Sequence, residues 1–144
     1  MKQVNLYCDG SCYGNPGLGG YGVILEYGQN RKELHGHIPQ ATNNSAELTA
    51  AIQGFRALTE RCQVNVITDS AYIVNSFSKG WIYRWHENGW KTAEKKPVAN
   101  RQLWEELLAE VAKHDVSWTH VRGHNGNPYN ERCDELARMG TENR

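Results

Sequence analysis

The segment Val64-Asn65-Val66-Ile67-Thr68-Asp69-Ser70 decides the architecture. Its apolar run is too short for a helix and stops at an acid, which is the pattern of a buried strand ending at Thr68-Asp69. Just upstream, Leu48, Ala51, Ile52, Phe55 and Leu58 fall on one helical face, with Asn43 or Asn44 as the N-cap. Just downstream, a helix is expected from Ser70. A strand flanked by helices joins its sheet through long crossovers, so it pairs in parallel.

Further upstream the period changes. Val4, Leu6 and Cys8 alternate with Asn5, Tyr7 and Asp9, and Tyr21, Val23 and Leu25 alternate again. Asn15-Pro16-Gly17 and Gly28-Gln29-Asn30 mark turns, and a third strand is expected over about 31–38. Turns this short make an antiparallel meander. Downstream, residues 80–99 are irregular, rich in Trp and Lys, and stopped by Pro97. Leu103, Leu107, Leu108 and Val111 make the next helical face, Val116, Trp118 and His120 alternate as a last strand, and a final helix starts near Pro128. The predicted order is β-β-β-α-β-α-(α)-α-β-α. It gives an α/β fold with a mixed five-stranded sheet, three strands antiparallel and two parallel, flanked by helices.

A chain of 144 residues fits one domain, here 1–144, and can bury roughly 70% of its unfolded surface. Its 39% hydrophobic and 22% charged content excludes disorder and collagen-like structure. No stretch approaches the ~20 apolar residues of a membrane span, and the first residues lack the apolar core of a signal peptide. A monomer in the cytoplasm with no membrane partner is expected. Cys8, Cys12, Cys62 and Cys133 form no C-x-x-C pair and are expected as free thiols. The net charge is zero, yet residues 79–101 carry six basic side chains against two acidic, and residues 102–144 carry five against eight. That asymmetry can bring a polyanion to one face.

Four acids invite chemistry, although each has an ordinary explanation. Asp9 precedes Gly10 and can form a turn. Glu47 stands three residues after Asn44, as in a capping box. Asp69 can cap the next helix. Asp134 lies four residues before Arg138, the spacing of a surface ion pair. Taken together they read differently. If the strands ending in Asp9 and Asp69 are parallel neighbours, both carboxylates reach the edge where α/β sheets place their sites. Glu47 can join from the side, and Asp134 can join if the last helix packs nearby. Four carboxylates in one pocket raise one another's pKa values unless a divalent cation compensates them. An all-oxygen donor set favours Mg²⁺ or Mn²⁺ over zinc.

These residues sit within longer motifs. They include Cys8-Asp9-Gly10-Ser11-Cys12, Gly14-Asn15-Pro16-Gly17, Gly19-Gly20-Tyr21-Gly22, Thr42-Asn43-Asn44 leading to Glu47-Leu48, and Thr68-Asp69-Ser70. They continue with Gly89-Trp90-Lys91-Thr92, Lys95-Lys96-Pro97-Val98, Gly123-His124 and Asn130-Glu131-Arg132-Cys133-Asp134-Glu135-Leu136-Ala137. In this order the chain resembles bacterial ribonuclease H type 1 along nearly its whole length. The resemblance implies a Mg²⁺-dependent endonuclease that cuts the RNA strand of RNA–DNA hybrids with two metal ions, for which Mn²⁺ can substitute. It makes Asp9, Glu47, Asp69 and Asp134 the metal ligands, with Asp9 bridging both ions. It gives 5′-phosphate and 3′-hydroxyl products, and assigns His124 to proton transfer or product release.

The resemblance also names substrate contacts. Gly10, Ser11, Cys12, Asn15, Asn43 and Asn44 face the RNA strand, whose 2′-hydroxyl lies in a shallow minor groove. Thr42 and Asn100 lie near a phosphate of the DNA strand. Residues 80–99 form a basic protrusion, with Trp81 and Trp85 on a short helix and Lys95 and Lys96 near phosphates. Trp104 and Trp118 are expected in the core. Ala71 stands where many relatives carry a glutamine that touches the hybrid, and Gln40 where some carry an arginine. Three rivals remain. Gly17-Leu18-Gly19-Gly20-Tyr21-Gly22 matches a dinucleotide fingerprint, but that motif needs a helix after it and an alternating strand follows. A binding module that has lost catalysis would usually lack a ligand, and all four carboxylates remain; against a relative of the same fold that cuts or joins DNA stand the Asn-rich RNA face and the protrusion.

Overall fold

Alternating side chains build the first half of the sheet in the computed structural model, which describes residues 1–122 and 127–142. Strands β1 (Lys2–Gly14), β2 (Gly17–Tyr27) and β3 (Asn30–Ala41) form the meander. Leu6 pairs with Leu25 and Val23 with Leu34, both antiparallel. The deciding segment is β4 (Cys62–Thr68), parallel to β1 with Val4 opposite Val64 and Tyr7 opposite Ile67. Strand β5 (Asp115–His120) lies parallel beyond it, completing the order β3-β2-β1-β4-β5.

The helices are α1 (Asn43–Arg56), α2 (Ala71–Ser78), α3 (Trp81–Glu87), α4 (Arg101–Val111) and α5 (Pro128–Glu142). One detail corrects the sequence reading. The N-cap of α1 is Thr42, whose Oγ1 accepts from Ser45 N–H while Ser45 Oγ accepts from Thr42 N–H. A cap two residues before Asn44 moves the capping box off Glu47. Residues 81–87 are helical, which is the short helix expected for Trp81 and Trp85.

Strand period puts Val23 and Leu25 in one core and Ile24 in the other. The main core packs Leu6, Val64 and Val66 of the sheet against Leu48, Ile52 and Phe55 of α1 and Leu107 of α4. Each such side chain contributes roughly 1.5–3 kcal/mol. Trp104 is fully buried there, as expected, whereas Trp118 is half-buried and stacks on Phe77 at 4.4 Å. Trp90, part of the Gly89-Trp90-Lys91-Thr92 motif but not expected in the core, is also buried. Its N–H donates to Trp85 O and its carbonyl accepts from Val98 N–H, which closes the base of the 80–99 segment.

The opposite face is covered by α5, which rests on bare backbone. A Cβ at Gly20 would lie 2.2 Å from Ala137 O, and one at Gly22 would lie 2.3 Å from Cys133 O. The glycines that imitate a dinucleotide fingerprint, Gly17, Gly19 and Gly22, are therefore part of β2, and Gly22 with its neighbour Gly20 seats a helix. Gly22 pairs with Asp9, so the same contact carries residue 134 toward β1. The four cysteines are free. No helix among the described residues is long and apolar enough to cross a membrane.

Candidate metal centre

The parallel ladder between β1 and β4 ends at Tyr7 opposite Ile67, and continuing its register by two residues sets Asp9 against Asp69. Asp9 does not end its strand, because β1 runs on to Gly14 alongside β2. It lies instead where β1 loses its β4 neighbour, which opens the sheet edge beside it. Ser70 caps α2 by accepting from Ile73 N–H, so capping does not occupy Asp69. Gly10 brings α1 against β1: a Cβ there would lie 2.3 Å from the Ala46 carbonyl carbon and 2.5 Å from Glu47 N. That approach delivers the Glu47 side chain to Asp9. One carboxylate oxygen from each of Asp9, Glu47 and Asp69 lies within 4.8 Å of the others.

Asp9 is 5% exposed. Its Oδ1 accepts from Gly10 N–H at 3.0 Å. Burial pushes its carboxyl up to about 7; a hydrogen bond from Glu47 opposes this, and the charges of Asp69 and Asp134 add to it. Glu47 is raised well above the usual carboxylate range, first by burial, then by the Asp9 charge and by the hydrogen bond to Asp9. Glu47 Oε2 is sealed from solvent and has no hydrogen-bond partner among the described residues. The neighbouring thiols stay protonated: burial raises Cys8 strongly and takes Cys133 to about 12. An orphaned buried oxygen in a cluster of carboxylate oxygens fits a hard divalent cation. It does not fit a thiolate site.

Asp134 is not one of the three. Its Oδ2 is 3.1 Å from Arg138 Nη2, the ion pair its spacing predicts, while its charge is still felt at Asp9. His124 lies outside the described residues.

Around the centre, Cys12 Sγ donates to Asn43 Oδ1 at 3.1 Å and Asn43 N–H donates to Asn15 Oδ1 at 3.1 Å. These bonds tie the β1–β2 hairpin to the start of α1. Asn43 and Asn44 are exposed, and Ser11, Cys12 and Thr42 are half-buried. On the other flank, Trp81 and Trp85 stand over Tyr72, with ring centroids 6.4 and 6.3 Å away. Tyr72, Arg84 and Lys91, which the sequence reading did not select, line the same groove as these tryptophans. Their signal was the helical spacing of Trp81, Arg84 and Trp85 within a segment read as irregular. Lys95 and Lys96 are exposed beyond the groove. Asn100 caps α4 at φ 61° without a side-chain cap bond, a left-handed position asparagine tolerates, so its amide is not spent on the helix.

The family model described as RNase H matches residues 1–142. The chain belongs to the ribonuclease H family. The curated Ribonuclease H of Moorella thermoacetica is 54% identical over 138 residues, covering 96% of this chain and 91% of that one. LC9-RNase H1, a type 1 RNase H with the type 2 active-site motif, superposes with TM-score 0.89 at 34% identity over 99% of this chain and 74% of its own. LC11-RNase H1, solved in complex with an RNA/DNA hybrid, superposes with TM-score 0.73 at 22% identity over 97% of each chain, a likeness of fold. The type 1 ribonuclease H fold expected from the motifs is thus the fold observed, and a nuclease is the enzyme class.

Proposed function

We propose that this ribonuclease H cuts the RNA strand of RNA–DNA hybrids as a single-domain, monomeric, cytoplasmic endonuclease. The observation that carries this is the group Asp9, Glu47 and Asp69, one oxygen of each within 4.8 Å of the others, at an open sheet edge flanked by an amide-rich surface and an aromatic, basic groove. The hybrid complex of LC11-RNase H1 supports the partner class. Asp9, Glu47 and Asp69, joined by Asp134, would hold two Mg²⁺ ions. When bound, the ions supply Lewis acidity for the attacking water and charge compensation for the leaving 3′ oxygen, giving 5′-phosphate and 3′-hydroxyl ends.

The chain itself supplies position and selectivity. Gly10 N–H fixes the Asp9 carboxylate, and the close β1–α1 contact fixes Glu47 relative to it. The RNA strand would run along Gly10, Ser11, Cys12, Asn15, Asn43 and Asn44, where short polar groups reach the 2′-hydroxyls. The DNA strand would lie toward Thr42, Asn100, Trp81 and Trp85, with a phosphate at the free Asn100 amide. His124 would assist proton transfer or product release. Ala71 is exposed at the start of α2, and its methyl group offers no hydrogen bond there.

An assay with labelled RNA–DNA hybrid, double-stranded RNA and double-stranded DNA, with and without Mg²⁺, tests the proposal. Cleavage confined to the RNA of the hybrid, and only with cation, is expected. Cleavage of double-stranded DNA would replace it with the activity of a DNA-cutting relative. Replacing Lys95 and Lys96 together by Ala is expected to weaken hybrid binding and to make the plot of log K against log salt shallower by about two phosphate contacts. An unchanged slope would remove both lysines from phosphate contact.

A further inference from the structure

The three clustered acids are not held equally by their backbones. Asp9 lies within β1, paired with Gly22 across the β1–β2 ladder. Glu47 lies inside α1, within its helical hydrogen-bond ladder. Asp69 lies beyond the last residue of β4 and before the first residue of α2. The parallel ladder between β4 and β5 stops at Thr68 opposite His120. Past that rung, the short link to α2 carries one of the acids that repel one another.

A side chain continues the ladder where the backbone stops. His120 Nε2 lies 3.2 Å from Asp69 O. A carbonyl oxygen only accepts, so Nε2 carries the proton and donates it. Val121 N–H donates to Thr68 O at 3.0 Å, and Ser70 N–H donates to Thr68 Oγ1 at 3.1 Å. The peptide groups on both sides of Asp69 are therefore pinned, the first by the backbone of the 120–121 step and the second by Thr68 Oγ1 at its N–H and the imidazole at its carbonyl.

We propose that His120 is a positioning residue for Asp69: it fixes the plane of the 69–70 peptide and so aims the Asp69 carboxylate at Asp9 and Glu47. The proposal rests on the divalent-cation role given above to these three acids. The bond at its own carbonyl opposes rotation of the 69–70 peptide, and with it any swing of the Asp69 carboxylate away from the other two acids. The imidazole does not touch the reacting atoms and has no catalytic role in this account.

The test compares wild type with His120→Ala and His120→Gln, whose amide keeps an N–H donor, and with Asp9→Asn as the cation-blind control. Calorimetric titration of the nucleic-acid-free protein with Mg²⁺ and with Mn²⁺ reads the centre directly. His120→Ala is expected to bind cation about three- to tenfold more weakly, and His120→Gln to recover to within about twofold of wild type. Melting in EDTA should be similar for all three, and hybrid cleavage by His120→Ala should show lower kcat with KM unchanged. His120→Ala binding cation like wild type, or His120→Gln binding no better than His120→Ala, overturns the tether alone. A wild type that gives no cation signal beyond that of Asp9→Asn overturns the metal centre and the tether with it.

Discussion

Asp9→Asn is expected to reduce hybrid cleavage by about a thousandfold or more, on the order of 4 kcal/mol in barrier height, and at the same time to stabilise the cation-free protein. Both effects follow from one buried charge. The carboxyl titrates near 7 in the fold against 3.8 in the unconstrained side chain. Below about 3.8 it is protonated in both states and costs nothing. Between about 3.8 and 7 the unfolded chain has lost the proton and the folded chain keeps it, so stability falls as pH rises. Above 7 the whole cost stands, roughly 2–4 kcal/mol. Asparagine keeps the shape and removes the charge. In EDTA the difference in melting temperature between the variant and wild type should grow from pH 4 to pH 7 and then level off. Mg²⁺ should raise the melting temperature of wild type by mass action and leave the variant nearly unmoved. Coincident melting curves in EDTA at all these pH values would show that Asp9 is not a strained acid.

Gly10→Ala should be damaging out of proportion to one methyl group. The new carbon would lie 2.3 Å from Ala46 C and 2.6 Å from Ala46 O, both backbone atoms of α1. Neither can turn aside as a side-chain tip can, so the helix must move off the strand. A loss of roughly 2–4 kcal/mol in stability is expected from such overpacking. Urea denaturation measures it. The separation of β1 from the start of α1 also separates Asp9 from Glu47, so the folded fraction of the variant should retain under about 1% of wild-type turnover, since displacements near 1 Å can cost about a hundredfold. A variant as stable and as active as wild type would show that this contact does not hold the two acids together.

The sheet was legible because its two halves announce themselves by period. Alternation in Val4, Leu6, Cys8 and in Tyr21, Val23, Leu25 marks the meander, and a short apolar run between helical faces marks β4. Asp9 and Asp69 could be placed at one edge by topology alone. Glu47 was harder, because Asn43, Asn44 and Thr42 are all good caps and a shift by one or two residues decides whether Glu47 caps the helix or turns inward. The glycines of β2 were opaque, since a missing side chain says nothing about what fills its place until α5 is seen lying there. The burial of Trp90 and the bounds of α3 were hidden from the residue pattern for a related reason. Their order comes from packing against Trp85 and Tyr72, and no local period reports that. The Asp134–Arg138 pair was read from spacing, yet its influence on Asp9 depends on how closely α5 approaches β1.

The glycine-lined seat under α5 has a consequence for biosynthesis. β1 is made before α5, so the helix that covers the β1–β2 face cannot dock until residues 128–142 have been translated. A translation product broken off before Pro128 would carry Asp9, Glu47 and Asp69 with Gly20 and Gly22 bare, an apolar sheet face open to whatever apolar surface it meets first.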